Sequence, residues 1–476
     1  MFLTGIPLPL KSNNYLVYKY PSLTCILLLL LISGNFCYAQ NTGDTLIQLK
    51  TALQLAEQRY PLLKSKQYEI NAAQSYTDVV KYSRLPSVDA SYQAGFATAN
   101  NVTGMFYPNG LLPISGPPSA SNNYSPATGS AASLLLNWQA VTFGQRNAQI
   151  QSSIVEANTK KTEYQQVLFQ HKISVISSYL DLLLAYDYVN IYQHNIDRVQ
   201  ANLKQSRVLT KTGIKAGVDT ALFLSELSKA KVDLINNERE RQVRQILLAQ
   251  LIVSNDLPTP LDTAFLNHLP ASINNSDTSF ANHPAIQYQQ NLYQLSKSKE
   301  DVLKKSFLPK LNVWGTTFAR GSGFQPDGSI KTFDGLAMNR FNYGAGVQLV
   351  FPIMKYGEVK KQLQQQNLLS AASQEKINES KWQLATQQKI ALATFNNSIL
   401  VANETQQQLK SAEYAFNAMQ IRYNTGLVNY ADLMQAQYNL LKAELDHKKS
   451  YWDAWKALLL QAAVQGDETI FTNAIK

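Results

Sequence analysis

The chain has 476 residues, 45% of them hydrophobic, which excludes a disordered polymer and is length enough for more than one ordinary domain. Charged residues make up only 16%, below the ~25% of soluble domains, and Gln, Asn, Ser and 25 Tyr take their place. The formal charge is +10, and both cysteines, Cys25 and Cys37, lie before Ala39, so a chain cut there has no disulfide, thiolate metal site or cysteine nucleophile.

The first segment reads as an export leader. Lys11 and Lys19 precede an apolar run, Cys25 to Ile32, and Cys37-Tyr38-Ala39 supplies the small residues that a signal peptidase requires. At about eight residues the run is too short to span a bilayer, which needs ~20. Phe36 before Cys37 argues against lipid attachment. Residues 1–39 are therefore expected to be a signal peptide, and no later stretch is apolar enough for an inner-membrane helix.

The mature chain reads as a tandem duplication, with repeats over 40–280 and 281–476. A helical stretch comes first in each (about 46–80 and 283–305) and ends at Leu85-Pro86 or Leu308-Pro309, where proline closes a helix and opens a strand. Pro61 and Pro86 are 25 apart, as are Pro284 and Pro309. Two strands follow, at about 87–98 and 130–142 in one half and 310–320 and 341–353 in the other. Val88, Ala90, Tyr92, Ala94 and Phe96 alternate with Asp89, Ser91, Gln93 and Gly95. Phe341, Tyr343, Ala345, Val347 and Leu349 alternate likewise with Asn342, Gly344, Gly346 and Gln348. The segment from Leu311 to Ala319 alternates less well, because Trp314 and Phe318 fall out of phase with Leu311 and Val313.

Long helices come next. Gly144 and Gly213 bracket 68 residues without Gly or Pro, and Gly357 and Gly426 bracket another 68. Each begins at an apparent glycine hinge, Phe143-Gly144 or Tyr356-Gly357, and at ~1.5 Å per residue each measures roughly 100 Å. A second helix follows each one, so that about 144–257 and 357–465 form a helical part. Its sparse apolar positions among Gln, Asn and Lys suit side-by-side packing with one wet face.

Four long strands with one apolar and one polar face match membrane β-strands, although a half-buried strand of a soluble sandwich alternates in the same way. The leader, and the lack of further strands to build a second sheet, favour the membrane. Four strands cannot close a barrel, for which about eight is the minimum, and open edges do not survive in lipid. Several chains must then share one barrel.

This order of elements, with Leu53 to Pro61, the Leu-Pro strand starts, and Arg422-Tyr423-Asn424-Thr425-Gly426-Leu427 before Asp432-Leu433, resembles the TolC-like outer-membrane efflux family over about 46–465. The resemblance implies an α+β membrane protein: a homotrimer whose 12-stranded barrel, four strands per protomer, continues into a long periplasmic α-helical barrel. It further implies an exit channel of tripartite efflux or type I secretion in the outer membrane of a Gram-negative bacterium. Its partners would be outer-membrane lipids, a periplasmic adaptor and an inner-membrane transporter.

The tips of the helical hairpins are the expected site. At an offset of 213, Thr212-Gly213-Ile214 matches Thr425-Gly426-Leu427, and Asp219 matches Asp432. The resemblance makes Asp432 a pore-ring carboxylate, with Gln435 where a second acidic ring is expected. Asp219 and Tyr423 resemble positions that hold the closed state, while Val428 stands where a basic partner is expected. Gly213, Ile214, Gly217, Gly426 and Leu427 are the expected adaptor-contact tips. The competing reading makes both aspartates first-turn helix acids.

Other chemistry is not indicated. His171, His194, His268, His283 and His447 have no ligand spacing, and no catalytic or phosphate-binding motif occurs, so neither an enzyme nor a cofactor is expected. Gly321-Ser322-Gly323 reads as a turn in an external loop. Arg239, Arg241 and Arg244 interleave with Glu238 and Glu240, a solvated helix face rather than a nucleic-acid platform. The alternative function is a periplasmic coiled-coil rod of the adaptor type, without a pore.

Overall fold

Proline and glycine punctuation sets the element order. The computed structural model describes residues 45–101, 119–262, 266–271, 280–327 and 329–474, so the leader expected at 1–39 lies outside the described residues. Strand β1 (Thr45–Ile47) leads into α1 (Leu49–Arg59), which stops at Tyr60 because the residue before a proline is held extended. Pro61 then opens α2 (Pro61–Tyr82), since the missing N–H is no loss in a first helical turn. Strands β2 (Ser87–Ala97) and β3 (Ala127–Val141) follow. The chain turns through Phe143 and Gly144, at φ of 47° and 96°, into α3 (Gln145–Lys211). A tight tip returns it along α4 (Gly217–Ile252) to β4 (Pro258–Pro260), which pairs in parallel with β1.

The second half runs α5 (Pro284–Lys305), β5 (Lys310–Ser322), β6 (Arg340–Val350), α6 (Lys355–Asn424) and α7 (Tyr430–Gln465), then a short α8 (Thr469–Asn473). Here the chain departs from the expected hinge. Gly357 lies inside α6, whose first residue is Lys355, and only the first half uses a left-handed glycine at this corner.

The helices are held at two levels. Midway along them, Tyr179, Leu180, Leu182, Leu248, Leu458 and Ala462 bury a core against α1 and α8. Tyr179 Oη donates to Asp262 Oδ2 at 2.9 Å, and the same oxygen accepts from Leu49 N at 3.1 Å, which satisfies an orphan donor at the start of α1. A second core of Phe223, Phe416, Tyr423, Leu433 and Leu440 sits at the tips. Among the described residues no helix is long and apolar enough to cross a membrane.

The strands form one antiparallel sheet in the order β2-β3-β5-β6. Its register puts Val88, Tyr92, Leu134, Leu136, Val313, Phe341, Tyr343 and Val347 on one face. Except at its outer end, where the loop through Gly335 and Ala337 lies on Ser130 and Gly321, no part of the described chain covers that face: Tyr343 is 84% exposed and Val347 71%. The opposite face carries Asp89, Ser91, Gln93, Ser133, Asn137, Asn312, Thr316 and Gln348. The out-of-phase residues of β5 find their reason here, because Trp314 and Phe318 belong to the polar face. Both outer strands, β2 and β6, keep one edge unpaired among the described residues.

The Gly321-Ser322-Gly323 turn is displaced from its expected place. Gly321 and Ser322 still belong to β5, and the following loop folds back on them. A Cβ at Gly321 would stand 2.2 Å from Ala337 O, and one at Gly335 1.7 Å from Thr128 O. These glycines let the loop press against the end of the sheet, where Ser130 Oγ donates to Gly335 O at 2.6 Å.

Candidate functional site

Both tips are built alike. Thr212 caps the end of helix α3 and Thr425 that of α6, and Gly213 (φ 74°) and Gly426 (φ 80°) take the left-handed conformation that closes each helix. Ile214 N then donates back to Leu209 O at 3.0 Å, and Leu427 N to Arg422 O at 2.9 Å. The tips touch. A Cβ at Gly426 would stand 3.2 Å from Ile214 Cγ2, while Ile214 and Leu427 themselves remain mostly exposed.

Asp219 and Asp432 occupy the same third position of the helices that follow, Gly217 opening one and Tyr430 the other, yet their carboxylates do different things. Asp432 is exposed and closes a capping box. Asp432 N donates to Asn429 Oδ1 at 2.9 Å, and Asn429 N to Asp432 Oδ2 at 3.4 Å. Asp219 follows Ala216, which has no side chain for such a box. Its Oδ2 instead accepts from Tyr423 Oη at 3.2 Å, joining the two hairpins.

Tyr423 is fully buried, edge-on to Phe223 at 5.7 Å, and Phe223 in turn meets Tyr430 at 4.7 Å. Burial, with the Asp219 charge adding to it, pushes the Tyr423 hydroxyl up to about 12. It therefore stays protonated, and a donor, across the physiological range. Val428 is half-buried and carries no charge, but its carbonyl oxygen accepts from Lys215 Nζ at 2.7 Å. The same ammonium lies 5.2 Å from the centroid of the Tyr423 ring. Gln435 is exposed, its amide donating to Asn439 Oδ1 at 2.9 Å.

The structure thus brings Asp219, Tyr423, Val428, Gly426 and Ile214 together and leaves Asp432, Gln435 and Leu427 facing outward. Lys215 escaped the sequence reading. The signal was present, because the offset of 213 aligns Lys215 with Val428: the cation absent from one tip stands at the matching place in the other. Farther up, a buried polar seam joins the hairpins. Gln420 donates to Asn202, Asn202 to Gln437 and Gln437 to Asn195, at 3.1, 2.9 and 3.1 Å. Beside it Arg198 grips Glu444 through two 2.7 Å bonds.

A family model described as outer membrane efflux protein matches residues 52–253 and 276–458. Among solved structures, the Campylobacter jejuni CmeC outer membrane channel is 16% identical, with a TM-score of 0.70 over 88% of this chain and 85% of its own. The outer membrane protein VceC from Vibrio cholerae is 13% identical, at 0.69 over 88% and 96%. The Neisseria gonorrhoeae MtrE outer membrane channel in its open state is 17% identical, at 0.64 over 88% and 90%. No curated protein sequence matches.

Proposed function

Because the chain belongs to the outer membrane efflux protein family, resident in the outer membrane of Gram-negative bacteria and reaching into the periplasm, we propose that three copies form one passive exit duct. The observation that carries this reading is the four-stranded sheet, with two open edges and an apolar face uncovered except at its outer end, running into helices of 67 and 70 residues. Unpaired edges in lipid cost several kcal/mol per backbone group, and closure between copies removes them. Twelve strands then suffice for a barrel, with the helices continuing it as a tunnel.

The duct docks through its tips to a periplasmic adaptor and an inner-membrane pump, with Gly213, Ile214, Gly217, Gly426 and Leu427 as the contact surface. Asp219 and Tyr423 hold the tips closed. Asp432, exposed beside them, rings the mouth once three copies assemble, and a narrow ring of three carboxylates attracts cations. Capping and ring roles are compatible, because the capping box engages only Oδ2.

The test is the mass of the detergent-purified protein, followed by conductance in planar bilayers with cation added on the helical side. A trimer that conducts and is blocked by divalent cations is expected, with block weakened in Asp432→Ala. A monomer without conductance overturns the duct and returns the periplasmic rod. Unchanged block in Asp432→Ala leaves that residue a helix cap alone.

A further inference from the structure

The polar face of the sheet carries a feature that efflux through a water-filled barrel does not require. Two arginines stand directly opposite each other, Arg320 on β5 and Arg340 on β6, at the end of the strands farthest from the helices. Like charges so paired destabilise a sheet unless an anion lies between them. Among the described residues neither guanidinium has an ion-pair partner. The nearby loop acids are otherwise engaged: Asp327 Oδ1 accepts from Ser329, and Asp334 pairs with Lys331 at 3.9 Å.

The same face supplies aromatic surface. Phe318 precedes Arg320 by two residues and Trp314 by six, so the three share one side of β5. The indole of Trp314 lies across β6, where two bare glycine backbones make room for it. A Cβ at Gly346 would stand 2.8 Å from Trp314 Cζ2, and one at Gly344 3.6 Å from Cζ3. Lying flat, and still 37% exposed, the ring is a platform. The face that elsewhere carries Ser, Asn and Gln thus offers an indole, a phenyl ring and two uncompensated guanidinium groups in sequence toward the outer end.

We propose that Trp314, Phe318, Arg320 and Arg340 form a binding site for aromatic anions on the polar face of the sheet, near its outer end. A carboxylate or sulfonate bridges the two guanidiniums, each of which is a planar multidentate donor. The ring that carries it stacks on Phe318 two residues along the strand, and Trp314, about 20 Å from Arg320, extends the aromatic surface toward the helices. The assignment of this face to a channel lumen rests on the shared-barrel reading; the site itself does not.

The probe is 2-naphthalenesulfonate, titrated calorimetrically into the detergent-purified full chain and, separately, added to the loop side of planar bilayers. Binding is expected to be at least tenfold tighter than that of methanesulfonate, and to weaken at least tenfold in the double variant Arg320→Gln, Arg340→Gln. Since that variant relieves like-charge repulsion, its melting temperature should stay level or rise. Phe318→Leu should narrow the preference for naphthalenesulfonate over methanesulfonate. The double variant Arg320→Lys, Arg340→Lys keeps both charges and should recover most of the affinity. Equal affinities for the two sulfonates, unchanged affinity in the glutamine pair, or a lysine pair that binds no better than it, overturns the site. If the titration behaves as expected while no pore forms, the barrel reading fails and the site stands.

Discussion

The two hairpin tips are the same structure made twice, and they differ where it matters. Each closes on a left-handed glycine after a threonine, and each returns through a helix with aspartate at its third position. In the second tip Asn429 draws that aspartate into a capping box, so Asp432 serves its own helix and faces water. In the first tip the cap is Ala216, and Asp219 is left to reach across to Tyr423. A single N-cap residue decides whether the repeated carboxylate acts within its hairpin or between hairpins. Duplication supplied two equal acids, and divergence at the cap gave them separate work.

The cations show the same division. Lys215 and Val428 are matched positions, and the lysine of the first tip binds the backbone of the second. The two charged contacts that cross the tips both have their charged member on the first hairpin: Asp219 accepts from the Tyr423 hydroxyl of the second, and Lys215 donates to its Val428 carbonyl.

Removing the Tyr423 side chain should break this arrangement most severely. Tyr423→Ala deletes a fully buried ring that meets Phe223 and Asp219 at once, and is expected to cost about 3–5 kcal/mol of local stability. Hydrogen exchange should show the amides around both tips opening together, while those near Tyr179 keep their protection. Protection lost at only one tip would mean that the hairpins do not depend on each other. Lys215→Met comes next. It keeps the stem but removes a charged donor and its contact with the ring, for about 1–2 kcal/mol at this half-exposed site. More frequent channel opening is the expected readout, and an unchanged open probability would show the ammonium to be incidental.

Tyr423→Phe isolates the hydroxyl, at about 0.5–1.5 kcal/mol. The wild type also predicts a pH dependence. Burial raises the folded pKa of Tyr423 to about 12, above the usual value of 10.0, so its contribution is complete below pH 10 and is lost as the pH climbs through about 12. Tip stability measured by exchange or thermal melting should fall across that window in the wild type. The phenylalanine variant should lack this component of the fall, and an identical alkaline profile in both proteins would remove Tyr423 from the latch.

How much of this could be read from the sequence depends on whether the physics was local. Pro61 and Pro284 start helices because a proline lacks the donor that a first turn does not need, a property independent of context. The faces of β2 were legible because a strand repeats every two residues and its apolar set is large. The start of β3 at Ala127 was not, since Ala127 to Ala132 are all small and show no contrast. Trp314 looked like noise because the room it occupies is made by Gly344 and Gly346 on another strand. At the tips, the repeat offset aligns Asp219 with Asp432 and the resemblance sets Asp219 with Tyr423, but only the packed hairpins show that those two bond directly while Asp432 turns to its own cap. Lys215 stands in the same alignment, but a cation on the first tip marks no contact with Val428 until the two tips are packed together.

The smallest effect should come from making the two caps alike. Ala216→Asn gives the first tip the residue that the second has at Asn429. In isolation an asparagine cap is worth about 0.5–2 kcal/mol over alanine. Its gain here has a counterpart, however, because a completed capping box draws the Asp219 carboxylate toward the backbone N–H of residue 216 and away from Tyr423, at about 0.5–1.5 kcal/mol. The two nearly cancel, so the melting temperature should hardly move. Function should move nonetheless, since the exchange replaces a bond between hairpins with one inside a hairpin: open probability rises at constant stability. A variant that gains the whole cap energy and opens no more often than the wild type would show that Asp219 can serve both partners, and the cap residue would then not be what separates the tips.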